Sequence, residues 1–358
     1  MSFFANLDEA LQNVRENLSD INLVNEPDNY RKLTGTLNYL FSPENPSMIE
    51  ATMLREGQAS KYRNVEIIYN TYKGDDFVVT TDSAGNCNAE NHRRAKRQVV
   101  SPTLYAEDKF TIDDEIIRHG NSEDIAAQLN REIRDAQRNL RESINAQLLA
   151  KFAANMGTNP AKGAAAGAYT AINLLKADGT VDPDAFDTIV NDVEDNKMVG
   201  PVGLIGLGKA RKYMNRLAVG NVNDGGVDVR EVMAQFGMAL YKDQFVTSAL
   251  GAADRILAMY PGFQSFFNYN LYAGTDFAKN TPDLARTLTI PDAIFPFSYD
   301  FKLKYDDGCI NSNGLQGAWT GRLLTYFDSW IVPSDAFGNE YGDLAGFNGI
   351  TGYNITQS

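Results

Sequence analysis

The sequence has few residues of the kinds that build disulfide-bonded or metal-held scaffolds. It contains two cysteines, Cys87 and Cys309, and two histidines among 358 residues. A disulfide-rich secreted domain needs more cysteines, and a structural zinc site needs four cysteine or histidine ligands close together. We therefore expect two free thiols in a reducing compartment, with no metal and no cofactor.

Positive charge and long apolar runs are also scarce. The chain has 33 Lys and Arg against 46 Asp and Glu, so its formal net charge is −13. This balance disfavours a protein whose main task is to bind nucleic acid, because phosphate binding depends on clustered Lys and Arg. No stretch approaches the roughly 18 uninterrupted apolar residues of a membrane span. The N-terminus lacks the basic and apolar regions of a signal peptide, so we expect an intracellular protein with no membrane partner.

No complete nucleotide-binding motif is present. The segment GLIGLGKA at 203–210 matches a phosphate-binding loop except at Ala210, where a Ser or Thr hydroxyl would hold Mg²⁺. The pair Gly206 and Gly208 does not complete a dinucleotide fingerprint, because Arg211 stands where the third glycine belongs. Close packing between a strand and a helix is the preferred interpretation of this segment.

Catalytic and metal-binding arrangements of other kinds are equally incomplete. Neither His92 nor His119 has a second histidine four residues away, so no zinc site of the HExxH type is possible. A Cys87–His92 pair stays open as a minor alternative, but two polar residues in one loop meet by chance far more often. We predict no catalytic residue and no enzyme activity.

The clearest element is a long amphipathic helix over 122–155. Ser122 is the predicted N-cap, and Glu123 and Asp124 suit the positive end of the helix dipole. Such a helix would be a rod of roughly 45 Å, far longer than a compact domain usually needs. Its apolar residues recur every three or four positions at Ile125, Leu129, Ile133, Ala136, Leu140, Ile144, Leu148 and Phe152.

A two-stranded hairpin precedes this helix. NVEIIYNTY at 64–72 reads as a strand, KGDD at 73–76 as a turn, and FVVTT after it as the returning strand. The polar segment 83–97 is predicted to be a loop that ends in a basic cluster. An isolated two-stranded ribbon is marginal in water, so a neighbouring subunit is one candidate for its support.

The basic cluster from His92 to Arg97 has three possible interpretations. It can be a solvated loop, a nucleic-acid or nuclear-targeting segment, or a patch that meets an acidic face of another copy. The candidate assembly contacts in and beside the hairpin are Arg93, Arg94, Lys96, Arg97, Tyr72, Lys73 and Asp75.

The remaining elements alternate between helix and strand. Helices are predicted over 5–20 and 28–41, and a flexible Ala/Gly linker follows the long helix at 157–168. Helices and strands then interleave at short spacing, which favours a mixed domain. FSYDFKLKY at 297–305 gives a clean alternating strand, and DDG after it is predicted to turn the chain.

Taken in order, these elements resemble the major capsid protein of tailed bacteriophages. Similar local patterns are SPTLYAEDKFTIDDEIIRHGNSEDIAAQLNREI, VREVMAQFGMALYKDQFV and ADRILAMYPGFQSFFNY. The resemblance implies an α+β fold with an N-terminal arm, an extended β-hairpin loop, a peripheral domain built on a spine helix, and a central axial domain. The implied bounds are 1–58 for the arm, 59–98 for the extended loop, 99–167 for the peripheral domain with its spine helix at 122–155, 168–295 for the axial domain, and 296–358 for the return strand and the C-terminal part of the peripheral domain.

The resemblance also implies a function. It implies a structural protein that self-assembles as pentamers and hexamers into an icosahedral shell around a double-stranded DNA genome, which it contacts without sequence specificity. A separate scaffolding protein, a portal and possible decoration proteins would be its partners, and it would assemble in the host cytoplasm and end in the virion capsid. The alternatives are an encapsulin-like compartment shell, a tail or connector protein, and a nucleotide-binding enzyme that uses 203–210.

Overall fold

The computed structural model describes residues 3–17, 34–43, 45, 65–72, 93–113, 121–175, 184–196, 198, 202–206, 237–271, 285–310, 316–334 and 346–357. The helices are α1 (Phe3–Asn17), α2 (Gly35–Leu40), α3 (Ser122–Ala154), α4 (Asp184–Asp195) and α5 (Val246–Leu250), with a 3₁₀ turn at Pro160–Lys162. The strands are β1 (Val65–Tyr72), β2 (Arg93–Val100), β3 (Leu104–Asp113), β4 (Tyr169–Leu175), β5 (Val202–Gly206), β6 (Met238–Lys242), β7 (Arg255–Met259), β8 (Gln264–Tyr269), β9 (Ala285–Pro291), β10 (Ser298–Ile310), β11 (Gln316–Ile331) and β12 (Ile350–Gln357). The predicted α+β class is confirmed.

The strands form a ribbon and two larger sheets. β1 and β2 pair only with each other among the described strands. The first sheet has the order β3-β11-β10-β9, and β8 pairs with the far end of β11, with all its pairs antiparallel. The second sheet has the order β4-β12-β7-β5-β6 and mixes parallel and antiparallel pairs.

The long helix is confirmed almost residue for residue. α3 runs over 33 residues, and all eight apolar positions of the predicted stripe are buried. Its N-cap is Asn121 and not Ser122, because the Asn121 side chain accepts a hydrogen bond from the Asp124 amide at 2.8 Å. Both residue types can cap a helix, so the sequence did not separate two adjacent candidates. The buried stripe faces a core shared with α1 and the first sheet.

Among the described residues, the strand that pairs with β1 is not the predicted one. The partner of β1 is β2, which contains the basic cluster that was predicted to lie in a loop. FVVTT lies outside the described residues. A ribbon with few neighbours leaves long charged side chains in water, so a basic strand can form there without desolvating its charges.

The strand predicted at 297–305 is confirmed, but the turn after it was wrong. β10 continues to Ile310, and its pairing with β11 becomes irregular between Asp306 and Ile310. A bulge or other irregularity in the pairing lets turn-forming residues remain in β10, because the residues on either side still pair with β11. The alternation works as expected, because Tyr299, Phe301 and Leu303 are all buried in the core.

Two segments join the second sheet more closely than the sequence indicated. The resemblance places 296–358 in the peripheral part, but β12 pairs with β4 and β7 in the second sheet. The segment predicted as a flexible linker is held to the start of that strand, since the Gly157 amide donates to the Ile350 carbonyl at 3.1 Å. Pairing between distant strands carries no local sequence signal, so it was not predicted.

The segment predicted as an N-terminal arm contains a packed helix. Leu7, Leu11 and Val14 of α1 are fully buried in the same core as α3. Arg286 on β9 holds the other side of α1 through an ion pair with Asp8, at 2.7 Å. Residues 18–33 of this segment lie outside the described residues, including the start of the helix predicted at 28–41.

Candidate assembly surface

The ribbon of β1 and β2 is the feature that the sequence singled out for assembly. Its strands are antiparallel, with Val65 opposite Val100 at one end and Tyr72 opposite Arg93 at the other. Val100 packs against a second hydrophobic core, which contains Ile67, Trp330 and apolar residues of the second sheet, so that end is the base and the Tyr72 end is the tip.

Five of the predicted contact residues lie on this ribbon. Arg93, Arg94, Lys96 and Arg97 follow one another on β2, opposite Tyr72, Thr71, Tyr69 and Ile68. Lys96 and Arg97 are exposed. Lys73 and Asp75 lie outside the described residues. The structure thus gathers most of the predicted residues on one element, and their contact with a neighbouring copy stays a prediction.

An aromatic contact anchors the base of the ribbon. The rings of Tyr69 and Trp330 lie with centroids 6.0 Å apart, and Trp330 Nε1 donates to Gln98 Oε1 at 3.0 Å. Ile67 is 1% exposed and packs in the same cluster. The ribbon is therefore fixed by the last residues of β11. Sequence reasoning missed Trp330, since nothing local marks a tryptophan as the partner of a strand so distant in the chain.

A buried carboxylate fixes the connection from the ribbon into the first sheet. Asp328 accepts hydrogen bonds from the Thr103 amide at 3.1 Å and the Thr103 hydroxyl at 2.6 Å. Lys151, in the last turn of α3, forms an ion pair with the same carboxylate. The end of the long helix, the base of the ribbon and β11 thus meet at one charged group.

The outer face of the ribbon presents apolar side chains to solvent. Ile68 is 54% exposed and Val99 is 61% exposed, although most large apolar residues of the described chain are buried. The register places Ile68 opposite Arg97 and Val99 opposite Glu66, so the two apolar residues lie within a charged surround. Apolar surface rimmed by charge is typical of a protein–protein contact.

Comparisons with known proteins gave similarity at the level of structure. No protein-family model matches the chain, and no curated protein matches it. The cyanophage A-1(L) capsid subunit is 15% identical with a TM-score of 0.49, over 89% of this chain and 98% of that one. The capsid of an empty GTA particle is 11% identical with a TM-score of 0.44, over 87% and 98% of the two chains. The capsid of the myophage XM1 is 9% identical with a TM-score of 0.41, over 87% and 94%.

The glycine-rich segment at 203–210 has a packing role in the part that the structure describes. A Cβ on Gly203 of β5 would lie 2.3 Å from two ring carbons of Tyr39, so only glycine fits beside this ring. β5 is buried along its whole length. Residues 207–210 lie outside the described residues. Gly203 therefore fits the strand-packing interpretation.

Buried carboxylates connect α3 to its surroundings. Asp292 accepts hydrogen bonds from the amides of Ile294 and Phe295 at 2.8 Å each, and from the Tyr299 hydroxyl at 2.9 Å. Arg141 of α3 lies with Nε 3.7 Å from Asp292 Oδ2. Burial raises the pKa of Asp292, and the Arg141 charge opposes that rise. The long helix is thereby tied to the loop between β9 and β10.

A second buried carboxylate joins α2, α3 and β6. Asp243 accepts hydrogen bonds from the Thr36 hydroxyl at 2.8 Å and from Asn145 Nδ2 at 2.7 Å. Burial raises the pKa of Asp243, and the hydrogen bonds from Asn145, Phe245 and Thr36 oppose that rise. Together with Asp292, this group ties α3 to both sheets.

The described residues contain no group of three or more His, Cys, Asp and Glu that could hold a metal ion. No helix among them is both long and apolar enough to cross a membrane.

Proposed function

We propose that this protein is the major capsid protein of a tailed bacteriophage and that its role is structural. One observation carries the proposal: among the described residues, a ribbon held at its base exposes Ile68 and Val99 beside a body built on a 33-residue helix. A two-stranded ribbon with exposed apolar residues gains stability when a neighbouring subunit covers it. The order of ribbon, long helix, mixed sheet and return strand is the order that the capsid resemblance implies.

The proposed shell is icosahedral and is built from pentamers and hexamers of this chain. Symmetric shells repeat one set of heterologous contacts, so a modest contact per subunit becomes stable through multivalency. A separate scaffolding protein, a portal and possible decoration proteins are the further proposed partners. The shell would assemble in the host cytoplasm and enclose double-stranded DNA without reading its sequence.

The proposed assembly contacts lie on the ribbon and at its tip. Lys96 and Arg97 are exposed on β2, and the chain as a whole is acidic. A basic strand on an acidic subunit favours contact with an acidic face of another copy, which sets the register of the contact and the rate of encounter. Arg93, Arg94, Tyr72, Lys73 and Asp75 complete the proposed set.

The experiment is to determine the mass and shape of the purified chain, by sedimentation and negative-stain electron microscopy over a range of salt, alone and produced together with the proteins encoded beside it. Closed shells, pentamers or hexamers of 39.5 kDa subunits are the expected result. Tubes or rings of other symmetry would indicate a tail or connector protein. Shells that enclose a protein cargo would indicate an encapsulin-like compartment. A chain that stays monomeric under all these conditions would contradict the proposal.

A further inference from the structure

Two short segments are the longest continuous runs of exposed residues in the described part of the chain. They are 96–99 on the ribbon and 165–168 in the Ala/Gly segment that follows α3. The first run contains Val99, which shares the outer side of the ribbon with Ile68. The second run has no side chain larger than a methyl group. Both runs present apolar atoms to water in the isolated subunit, as surfaces that bind another protein do.

The outer side of the ribbon carries positive charge beside its apolar residues. Arg97 lies directly opposite Ile68 and two residues from Val99 on the same strand, so these three residues share one side of the ribbon. All three are exposed. By register, the other charged positions of this side are Glu66 and Arg93, one of each sign. The outer side of the ribbon is therefore apolar and net positive.

The Ala/Gly loop, residues 163–168, is held in place by backbone hydrogen bonds. Asn159 is 2% exposed and exchanges two such bonds with Ala164, at 3.1 and 3.0 Å. The Gly167 amide donates to the Met156 carbonyl at 3.1 Å. A Cβ on Gly167 would meet no atom within 4 Å, so this part of the loop faces open solvent. A fixed surface without long side chains loses little conformational freedom when another surface covers it.

Exposed carboxylates adjoin the Ala/Gly loop. The Ala161 amide donates to Asn196 Oδ1 at 3.1 Å, which holds the start of the loop against the end of α4. Glu194 and Asp195 in the last turn of α4 are exposed, and that turn has no basic residue. The C-terminal end of a helix carries partial negative charge, so two carboxylates there favour the approach of a cation.

The charges around the Ala/Gly loop remain net negative when all are counted. Lys162 Nζ lies 3.1 Å from Asp192 Oδ1, so this lysine is matched by a buried carboxylate. Arg255 lies over the ring of the residue that follows the loop, and Asp254 precedes it in the chain. Lys197 lies outside the described residues, and its single charge does not balance the two exposed carboxylates of α4.

We infer that the outer side of the ribbon, with Ile68, Arg97 and Val99, binds the Ala/Gly loop and the adjoining Glu194 and Asp195 of a second copy of this chain. This inference rests on the proposed function, because it names the surface that covers the ribbon. Polarity and charge both match, since an apolar surface beside a cation meets an apolar surface beside carboxylates. The two surfaces lie on different elements, so the contact is head-to-tail and can close into rings.

The first test exchanges the charges across the contact. The ribbon variant is Arg97→Glu, the loop variant is Glu194→Arg with Asp195→Arg, and the combined chain carries all three changes. We expect each variant to raise the concentration needed for assembly at least about tenfold, and the combined chain to return to within about threefold of the wild type. Light scattering measures this concentration, and circular dichroism with thermal unfolding verifies each fold. The control adds Arg131→Glu, on the exposed side of α3, to the loop variant and should restore nothing.

The second test measures proximity and alters no charge. The chain carries Val99→Cys and Ala166→Cys, with the native Cys87 and Cys309 replaced by Ser. Treatment of the assembled protein with a short bismaleimide cross-linker should give ladders of linked subunits on a denaturing gel. The control pairs Val99→Cys with Ala127→Cys, an exposed alanine on α3, and should give monomers.

The outcomes separate this contact from the proposed function. If the wild type forms no oligomer under any condition, the proposed function fails and this contact fails with it. If the wild type assembles and the folded Arg97→Glu variant assembles equally well, only this contact is refuted. Impaired variants without recovery in the combined chain, or cross-linking no stronger than in the control, refute the loop as the partner. Normal assembly combined with lost retention of added double-stranded DNA assigns Arg97 to nucleic acid and also refutes the inference.

Discussion

At the scale of single residues, the contribution of the Arg141–Asp292 ion pair to the free energy of unfolding can be measured by substitution. Arg141 is 2% exposed, and the Asp292 side chain is fully buried. Arg141→Met keeps the volume of the side chain but leaves a buried carboxylate without its cation. We expect the free energy of unfolding to fall by about 3–5 kcal/mol, as for other buried pairs that lose one partner. Urea unfolding monitored by fluorescence measures the loss.

The pH dependence of the same variant has a defined sign. Burial already raises the pKa of Asp292, and removing Arg141 raises it further. A carboxyl group whose folded-state pKa lies above its unfolded value favours folding below the unfolded pKa, and that stability is lost as pH rises through the folded pKa. The gap in stability between Arg141→Met and the wild type should therefore narrow as pH falls.

The matched control is Arg131→Met on the same helix, where replacing an exposed arginine should change the free energy of unfolding by no more than about 0.5 kcal/mol. If both variants lose the same free energy of unfolding, the buried ion pair does not stabilise the fold more than an exposed arginine does.

Gly203 offers a second test at this scale. Gly203→Ala would push a methyl group to 2.3 Å from the Tyr39 ring, and overpacking of this kind costs about 1–3 kcal/mol. Tyr39→Leu in the same background removes the ring and should recover part of that loss, which a double-mutant cycle in urea measures. If Gly203→Ala leaves stability unchanged while the wild type binds ATP at micromolar concentration, the phosphate-loop interpretation would replace the packing one.

At the scale of elements, the anchoring of the ribbon is the testable feature. Trp330→Phe keeps an aromatic ring against Tyr69, but it removes the Nε1–H donor to Gln98 and some of the buried ring volume. Loss of one hydrogen bond, about 0.5–1.5 kcal/mol, should increase hydrogen exchange of the β1 and β2 amides by roughly 2- to 10-fold. Trp319→Phe is the control, because Trp319 packs against Tyr305 in the first sheet. Unchanged exchange in the Trp330 variant, or an equal increase in both variants, would place the anchor elsewhere.

Elements with a repeating pattern could be predicted from the sequence. The apolar stripe of α3 and the alternation of β10 are each periodic patterns within one continuous segment, so the sequence of that segment alone predicts them. The partner of β1 could not be found in this way, because the choice between FVVTT and β2 depends on where the chain turns between distant strands. β2 also contradicts strand propensity, since its run of basic residues resembles a loop until its pairing is known.

At the scale of the whole molecule, the two sheets and the ribbon converge on one helix. Asp243 ties α3 to β6 of the second sheet, Asp292 ties it to the first sheet, and Asp328 ties its last turn to the base of the ribbon. These contacts depend on single carboxylates placed by distant segments, so none could be predicted among the many acidic residues of the chain.

The exposed apolar residues of the ribbon give the last prediction. Ile68→Thr combined with Val99→Thr changes side chains that are 54% and 61% exposed, so folding stability should stay within about 0.5 kcal/mol. If a neighbouring subunit covers both residues in the shell, the pair contributes about 1.5–3 kcal/mol to each contact, and the concentration needed for assembly should rise roughly 10- to 100-fold. Light scattering against protein concentration measures this threshold. Leu271→Thr is the matched control, because Leu271 is 47% exposed but lies off the ribbon and should leave the threshold unchanged. A double variant that assembles at the wild-type concentration would show that this face of the ribbon stays in solvent, and the proposed role of the ribbon in the shell would have to be abandoned.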